Sequence, residues 1–248
     1  MKYWLVWILT GMIFLYADVV DIPTRGVSER AVVLMPEHSK AAVILFAGGH
    51  GGLQIKDDET YGWGGGNFLV RARNLFVEHQ MMAVIVDAPS DHQSAPFLAN
   101  FRQTKEHVQD IQALVEWVKT KTDAPIWLVG TSRGTQSVAY AATHGIQDVH
   151  GIVLTSTILT DSKVDAVPEM PLDKITLPLL VVHHENDGCM HCSPTLLEAF
   201  MKKLPSASLI MMQGGKTQGD PCLAMAYHGF NGVEKEVVDK ISDWIVAH

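Results

Sequence analysis

Ile126-Trp127-Leu128-Val129-Gly130-Thr131-Ser132-Arg133-Gly134-Thr135 is the stretch around which the rest of the chain is organised. Its first four residues form a short apolar run that reads as a buried strand, and the Ala-rich run at 137–143 reads as a helix. Between them lies G-x-S-x-G, Gly130 to Gly134, in a strand–turn–helix setting. A serine at the tip of so sharp a turn draws neighbouring backbone too close for a Cβ at either flanking position, which accounts for the glycines. The helix behind the serine aims its first N–H groups at any negative charge that develops beside the hydroxyl. An ordinary strand–helix loop can also hold a serine between two glycines, so the flanking chain has to carry the reading.

Upstream, residues 18–23 and 30–35 read as two short strands in a hairpin around Thr24-Arg25-Gly26. Ala41–Phe46 is a continuous apolar run, the pattern of a strand buried on both faces. It breaks into Ala47-Gly48-Gly49-His50-Gly51-Gly52, then a long polar, Gly-rich loop that runs through Tyr61 and Trp63 to Gly66. Residues 68–79 predict a helix with Leu69, Ala72 and Phe76 on one face, and 82–86 a strand ending at Asp87. Lys105–Lys119 carries Val108, Ile111, Leu114, Val115 and Val118 at a helical period. Downstream, residues 149–154 and 177–182 predict strands. Ser193-Pro194 reads as a capping serine before a first-turn proline, opening a helix with Leu196, Leu197, Phe200, Met201 and Leu204 inward. Residues 207–212 are the last strand, and Val237, Ile241, Trp244 and Ile245 mark a terminal amphipathic helix. Strands alternating with helices give an α/β fold, here a mostly parallel eight-stranded sheet with helices on both faces. A doubly wound dinucleotide-binding fold is the competitor, but the region after Phe46 lacks a clean G-x-G-x-x-G spacing.

The length of 248 residues suits one domain, and a hydrophobic content of 47% supports a sizeable core. A formal net charge of −8 argues against a nucleic-acid partner or an anionic membrane surface. Met1-Lys2 followed by a nearly all-apolar run to Tyr16, with Ala17 at the junction, reads as a signal peptide over residues 1–17. The apolar run is shorter than a membrane span, although Leu15 at −3 leaves an uncleaved anchor as the alternative. Residues 18–248 then form the domain, and the expected destination is secreted or periplasmic. The three cysteines, Cys189, Cys192 and Cys222, fit an oxidising compartment with one disulfide. The favoured pairing is Cys189–Cys222 with Cys192 free, although connectivity is not readable from spacing. The C-x-x-C at 189–192 has no second pair to complete a zinc site, so no metal is expected.

From about residue 30 to the C-terminus, the chain resembles the α/β-hydrolase superfamily. Its small lidless members are the nearest in pattern, among them dienelactone-hydrolase-like and cutinase-like enzymes. Three pieces carry the resemblance in the family's order of nucleophile, acid and histidine. The nucleophile is Ser132, whose hydroxyl needs a base within hydrogen-bond reach. The resemblance makes His228 that base, because of twelve histidines it alone lies between the last strand and the terminal helix, in Tyr227-His228-Gly229-Phe230. It makes Asp187, just past the strand at 177–182, the acid that orients the imidazole. Glu185 and Asp161 are the alternatives, and His183 and His184 read as structural, hydrogen-bonded within the acid loop.

Two backbone N–H groups must face the developing oxyanion. The resemblance assigns one to Arg133 and the other to Gly49 or His50, in a loop similar to the family's His-Gly-Gly signature; aligning on the histidine would give Gly51. About twenty residues separate the strands at 149–154 and 177–182, too few for a helical lid, so the site should be open or covered mainly by the Gly-rich loop, with Tyr61 and Trp63 against substrate. The related lactone-cleaving branch commonly uses cysteine as nucleophile, so its lactone specificity does not transfer. The implied activity is hydrolysis of small-molecule carboxylic esters by an exported serine hydrolase, without metal or organic cofactor. A peptidase, thioesterase or acyltransferase on the same residues is the alternative, and a catalytically silent binding protein is a third reading.

Overall fold

The computed structural model describes residues 16–248. Most of the expected leader, residues 1–15, lies outside the described residues, and Tyr16 and Ala17 open the first strand. Among the described residues no helix is long and apolar enough to cross a membrane.

Strands β1 (Tyr16–Thr24) and β2 (Val27–Met35) form the expected hairpin, closed by Arg25 and Gly26, both at positive φ. They are followed by β3 (Ala41–Phe46), β4 (Met81–Pro89), β5 (Ile126–Thr131), β6 (Gly151–Thr155), β7 (Leu179–His184) and β8 (Ser208–Met212). The eight form one sheet in the order β1-β2-β4-β3-β5-β6-β7-β8, and only β2 runs against the others. Parallel strands put their C-terminal ends on one edge of the sheet, so the loops after β3, β5, β6 and β7 converge there.

Every residue of β3 and β5 is buried. Their side chains alternate between two cores: Ile44 and Leu128 join one, Leu45 and Val129 the other. Helices α3 (Lys105–Lys119), α4 (Gly134–Thr143) and α5 (Leu197–Met201) cover the first core with Ile111, Leu114, Val138 and Phe200. Helices α1 (Phe68–Arg71), α2 (Arg73–Glu78) and α6 (Glu234–Ala247) cover the second with Phe68, Phe76, Val237 and Ile241. Each such fully buried side chain contributes about 1.5–3 kcal/mol.

Two helices depart from the expectation. The single helix expected at 68–79 is broken at Ala72, which ends α1 and precedes α2. The helix after Ser193 is shorter and begins as a 3₁₀ turn, Pro194–Leu196. Ser193 Oγ pairs with Thr195 Oγ1 at 2.8 Å and caps nothing, and Leu196 faces outward at 39% exposure. The tighter 3₁₀ turn rotates Leu196 off the inward stripe that a regular α-helix would have given it.

Between β6 and β7 the chain makes only two short 3₁₀ turns, Val167–Glu169 and Leu172–Lys174. Val167, Met170 and Leu172 are packed into the core there, so this segment is a floor and not a lid.

Candidate active site

Ser132 stands at the tip of the β5–α4 turn with φ of +52°, a left-handed conformation rare for a residue with a side chain. Backbone bonds hold it there: Ser132 N–H donates to Thr155 O at 3.0 Å, and Thr135 N–H donates to Ser132 O at 2.9 Å. A Cβ on Gly130 would come within 2.6 Å of Gly134 O, and one on Gly134 within 2.1 Å of Phe46 O. Both flanking glycines are therefore required by close approach, as the motif implied.

Asp187 follows β7 and is buried. Its Oδ1 accepts from Cys189 N–H at 2.9 Å and its Oδ2 from His228 Nδ1 at 2.9 Å. The carboxylate can only accept, so Nδ1 carries the proton and leaves Nε2 as a lone-pair acceptor. His228 lies in a 3₁₀ turn, Tyr227–Gly229, buried to 4% exposure. That turn is tethered from three sides. Ser156 Oγ donates to His228 O at 2.7 Å, Arg71 Nη2 donates to Gly229 O at 2.6 Å, and Phe230 packs its ring 4.9 Å from that of Phe68.

Ser132 and His228 line one cavity of about 240 Å³ with Gly49, Trp63, Asn67, Phe68, Leu223 and Gly229. Among the described residues no hydrogen bond joins Ser132 Oγ to His228, a spacing that commonly tightens once substrate binds. An imidazole between a buried carboxylate and a serine hydroxyl can pass a proton from the hydroxyl to a leaving group.

The rival acids are placed elsewhere. Asp161 Oδ2 pairs with Arg133 Nη1 at 2.6 Å, and Glu185 is exposed beside Gln213. His184 bonds only partly within the acid loop: its Nδ1 accepts from Asn186 N–H, its Nε2 donates outside the loop to Gly214 O at 2.9 Å, and its ring stacks on Tyr227 at 4.5 Å. His183 also reaches out of that loop, accepting from Thr157 N–H at 2.7 Å. Burial pulls its pKa down to about 4, so it stays neutral beside Asp187 at neutral pH.

Gly48 presses against the elbow, where a Cβ would meet Ser132 Cβ at 2.8 Å, and Gly49 is in the cavity wall. The His50 ring does not line the cavity. It is held between Trp63 at 3.7 Å and Phe97 at 4.1 Å, with Nδ1 accepting from Gly52 N–H. Trp63 reaches the cavity as expected, but Tyr61 does not. Tyr61 bridges to Ile55 in the loop and lies under the Arg73 guanidinium at 5.4 Å, against the core.

Two residues that organise this loop escaped the sequence reading. Asp87, buried at the end of β4, accepts from the N–H groups of Leu53, Gln54 and Ile55. Arg102, also buried, donates to Ala47 O, Gly49 O and Ser137 Oγ. Burial, helped by Arg133, lowers its pKa to about 9. Asp87 was visible as a polar residue closing an apolar strand, whereas nothing in the sequence around Arg102 marks it.

The sequence matches no protein-family model and no curated protein. Solved structures do match. Est1E from Butyrivibrio proteoclasticus superposes with a TM-score of 0.62 at 16% identity, over 93% of this chain and 98% of its own. A dienelactone hydrolase from Anabaena variabilis gives 0.67 at 12% identity, over 94% and 98%. A lidless α/β serine hydrolase from Xanthomonas campestris gives 0.63 at 15% identity, over 91% and 94%. The chain has the α/β-hydrolase fold. In this α/β-hydrolase fold, Ser132, Asp187 and His228 follow β5, β7 and β8, all parallel strands of the sheet.

The Cys189–Cys222 disulfide is present and Cys192 is free and buried. The bridge spans 33 residues and ties the loop of Asp187 to the segment before His228. Closing a loop of that length stabilises a fold by about 3–4 kcal/mol. Reduction in the presence of a chelator is therefore expected to lower the melting temperature by about 10 °C. An unchanged melting curve in differential scanning calorimetry would remove the bridge from the account of stability.

Proposed function

We propose that the chain is an exported serine hydrolase that cleaves small-molecule carboxylic esters. The observation that carries this reading is the buried Asp187–His228 hydrogen bond beside a cavity shared by His228 and Ser132. In this reading Ser132 Oγ attacks the ester carbonyl while His228 Nε2 takes its proton. Asp187 holds the imidazole in the Nδ1–H tautomer and stabilises the imidazolium. The N–H groups of Arg133 and of Gly49 or His50 receive the oxyanion, and Gly49, in the cavity wall, is the better placed of the latter two. His228 then protonates the departing alcohol, and a water activated by the same imidazole releases the acid from the acyl-enzyme. No metal or organic cofactor takes part. The apolar leader and the disulfide support export. Among the described residues, the cavity wall carries no acidic or basic side chain besides His228, which favours uncharged esters.

The test is labelling with a fluorophosphonate, mapping of the modified peptide, and a panel of p-nitrophenyl esters with matched amides and thioesters. Label on Ser132 with turnover greatest on esters is the expected result. Faster thioester or amide turnover would reassign the bond that is cleaved. A folded chain that takes no label would put the silent binding-protein reading first.

A further inference from the structure

The C-x-x-C motif of the acid loop has no part in the chemistry above, yet it lies against the base. Cys189 and Cys192 close a turn in which Cys192 N–H donates to Cys189 O at 2.9 Å, bringing the two side chains together. The Sγ atoms of Cys189 and Cys192 and a ring nitrogen of His228 all lie within 4.8 Å of one another. All three residues are buried, at 2%, 0% and 4% exposure. The third sulfur, Cys222, is held with its Cα 4.4 Å from that of Cys189, so it stays adjacent if the bond between them opens. Cys222 and His228 also line the open cavity, which gives an ion a way in.

We propose that reduction of the Cys189–Cys222 disulfide creates a Cys₃His site for a thiophilic divalent ion of the zinc class, with Cys189, Cys192, Cys222 and His228 as ligands. Zinc bonds of about 2.3 Å to sulfur and about 2.0 Å to nitrogen set tetrahedral donors about 3.5–3.8 Å apart, so the donors must close up by only about 1 Å. A dithiol supplies the two electrons, becoming a disulfide as Cys189 and Cys222 take its two protons. The ion then displaces the three thiol protons to solvent and accepts the imidazole lone pair. Zn²⁺ with three thiolates carries a single negative charge, which suits a buried site better than three separate thiolates. Coordination through His228 Nδ1 displaces Asp187, and coordination through Nε2 removes the acceptor for the serine proton. The disulfide and the ion are therefore alternatives, and the ion takes the base out of use. The ligand set is independent of the esterase reading, whereas the effect on turnover rests on it.

The experiment titrates the full chain, reduced with a phosphine and freed of metal, with cobalt(II) and then zinc. Circular dichroism is recorded throughout. The phosphine takes the oxygen of a water and leaves the two protons on the thiols. One equivalent of cobalt with a thiolate-to-cobalt charge-transfer band and tetrahedral ligand-field bands is expected, displaced by zinc. The oxidised chain gives neither. Ser132→Ala binds cobalt as wild type does. Cys192→Ser, which keeps ester turnover when oxidised, binds at least about tenfold more weakly when reduced. His228→Gln shifts the ligand-field bands. Zinc lowers ester turnover of the reduced enzyme at least about tenfold, and a chelator restores it. Absence of stoichiometric binding, a Cys192→Ser or His228→Gln spectrum identical to wild type, or a reduced chain that is unfolded and that zinc does not refold would each overturn the site. Binding with turnover unaffected would overturn the capture of the base. A chain that never turns over esters but gives the cobalt spectrum keeps the site and loses only the esterase reading.

Discussion

Ser132→Ala is expected to lower ester turnover by roughly 10⁵- to 10⁶-fold while changing the stability of the fold by no more than about 0.5 kcal/mol. The contrast follows from what holds the residue. Its contacts to Thr155 O and Thr135 N–H are made by backbone, and alanine at φ +52° meets the same Cβ crowding as serine. On the proposed reading, the hydroxyl contributes little to the fold and carries the covalent step. No nearby serine can substitute, because Ser137 Oγ accepts from Arg102 and Ser156 Oγ donates to His228 O. Steady-state kinetics on a p-nitrophenyl ester, with fluorophosphonate labelling in parallel, measures both halves. A variant that keeps more than about 1% of turnover would place the nucleophile elsewhere.

Asp187→Asn comes next, with an expected loss of about 10³- to 10⁴-fold in kcat at neutral pH. The amide is nearly isosteric, and its oxygen can still accept from Cys189 N–H, so the acid loop keeps its shape. Its NH₂ group would then face His228 Nδ1 and donate to it. That selects the opposite tautomer, with the proton on Nε2, where it cannot accept from Ser132. Raising the pH should recover part of the rate as hydroxide replaces the missing base. A loss confined to KM would mean that Asp187 shapes the pocket and does not orient the imidazole.

The parts of this molecule that follow from a repeating pattern were legible in the sequence. Ala41–Phe46 and Lys105–Lys119 have the observed bounds because a doubly buried strand and an amphipathic helix each repeat their signal over several residues. The elbow was legible because backbone approach forces Gly130 and Gly134 on either side of Ser132 at φ +52°. What stayed hidden depends on contacts between distant segments. Arg102 reaches the carbonyls of Ala47 and Gly49 across 55 and 53 residues, and no local pattern announces such a reach. Tyr61 and Trp63, two residues apart in a glycine-rich loop, looked equivalent. Only the folded loop, with Ile55 paired to Tyr61, sends one to the core and the other to the cavity. Phe230 takes φ +56° two residues after His228, a conformation that sequence reading assigns to glycine.

The segment between β6 and β7 is packed down as a floor, and the loop that borders the cavity is pinned at its root by Asp87. On the proposed reading, this has a consequence in time as well as in shape. A lipase-like site behind a hinged cover waits for that cover to move, and its rate jumps when an oil–water boundary holds the cover open. Here, among the described residues, no hinged cover stands between solvent and Ser132, so the rate follows the concentration of dissolved ester smoothly, and an emulsion offers no advantage over a solution. The enzyme then suits small esters met singly in water, each turnover paced by chemistry and by the departure of product.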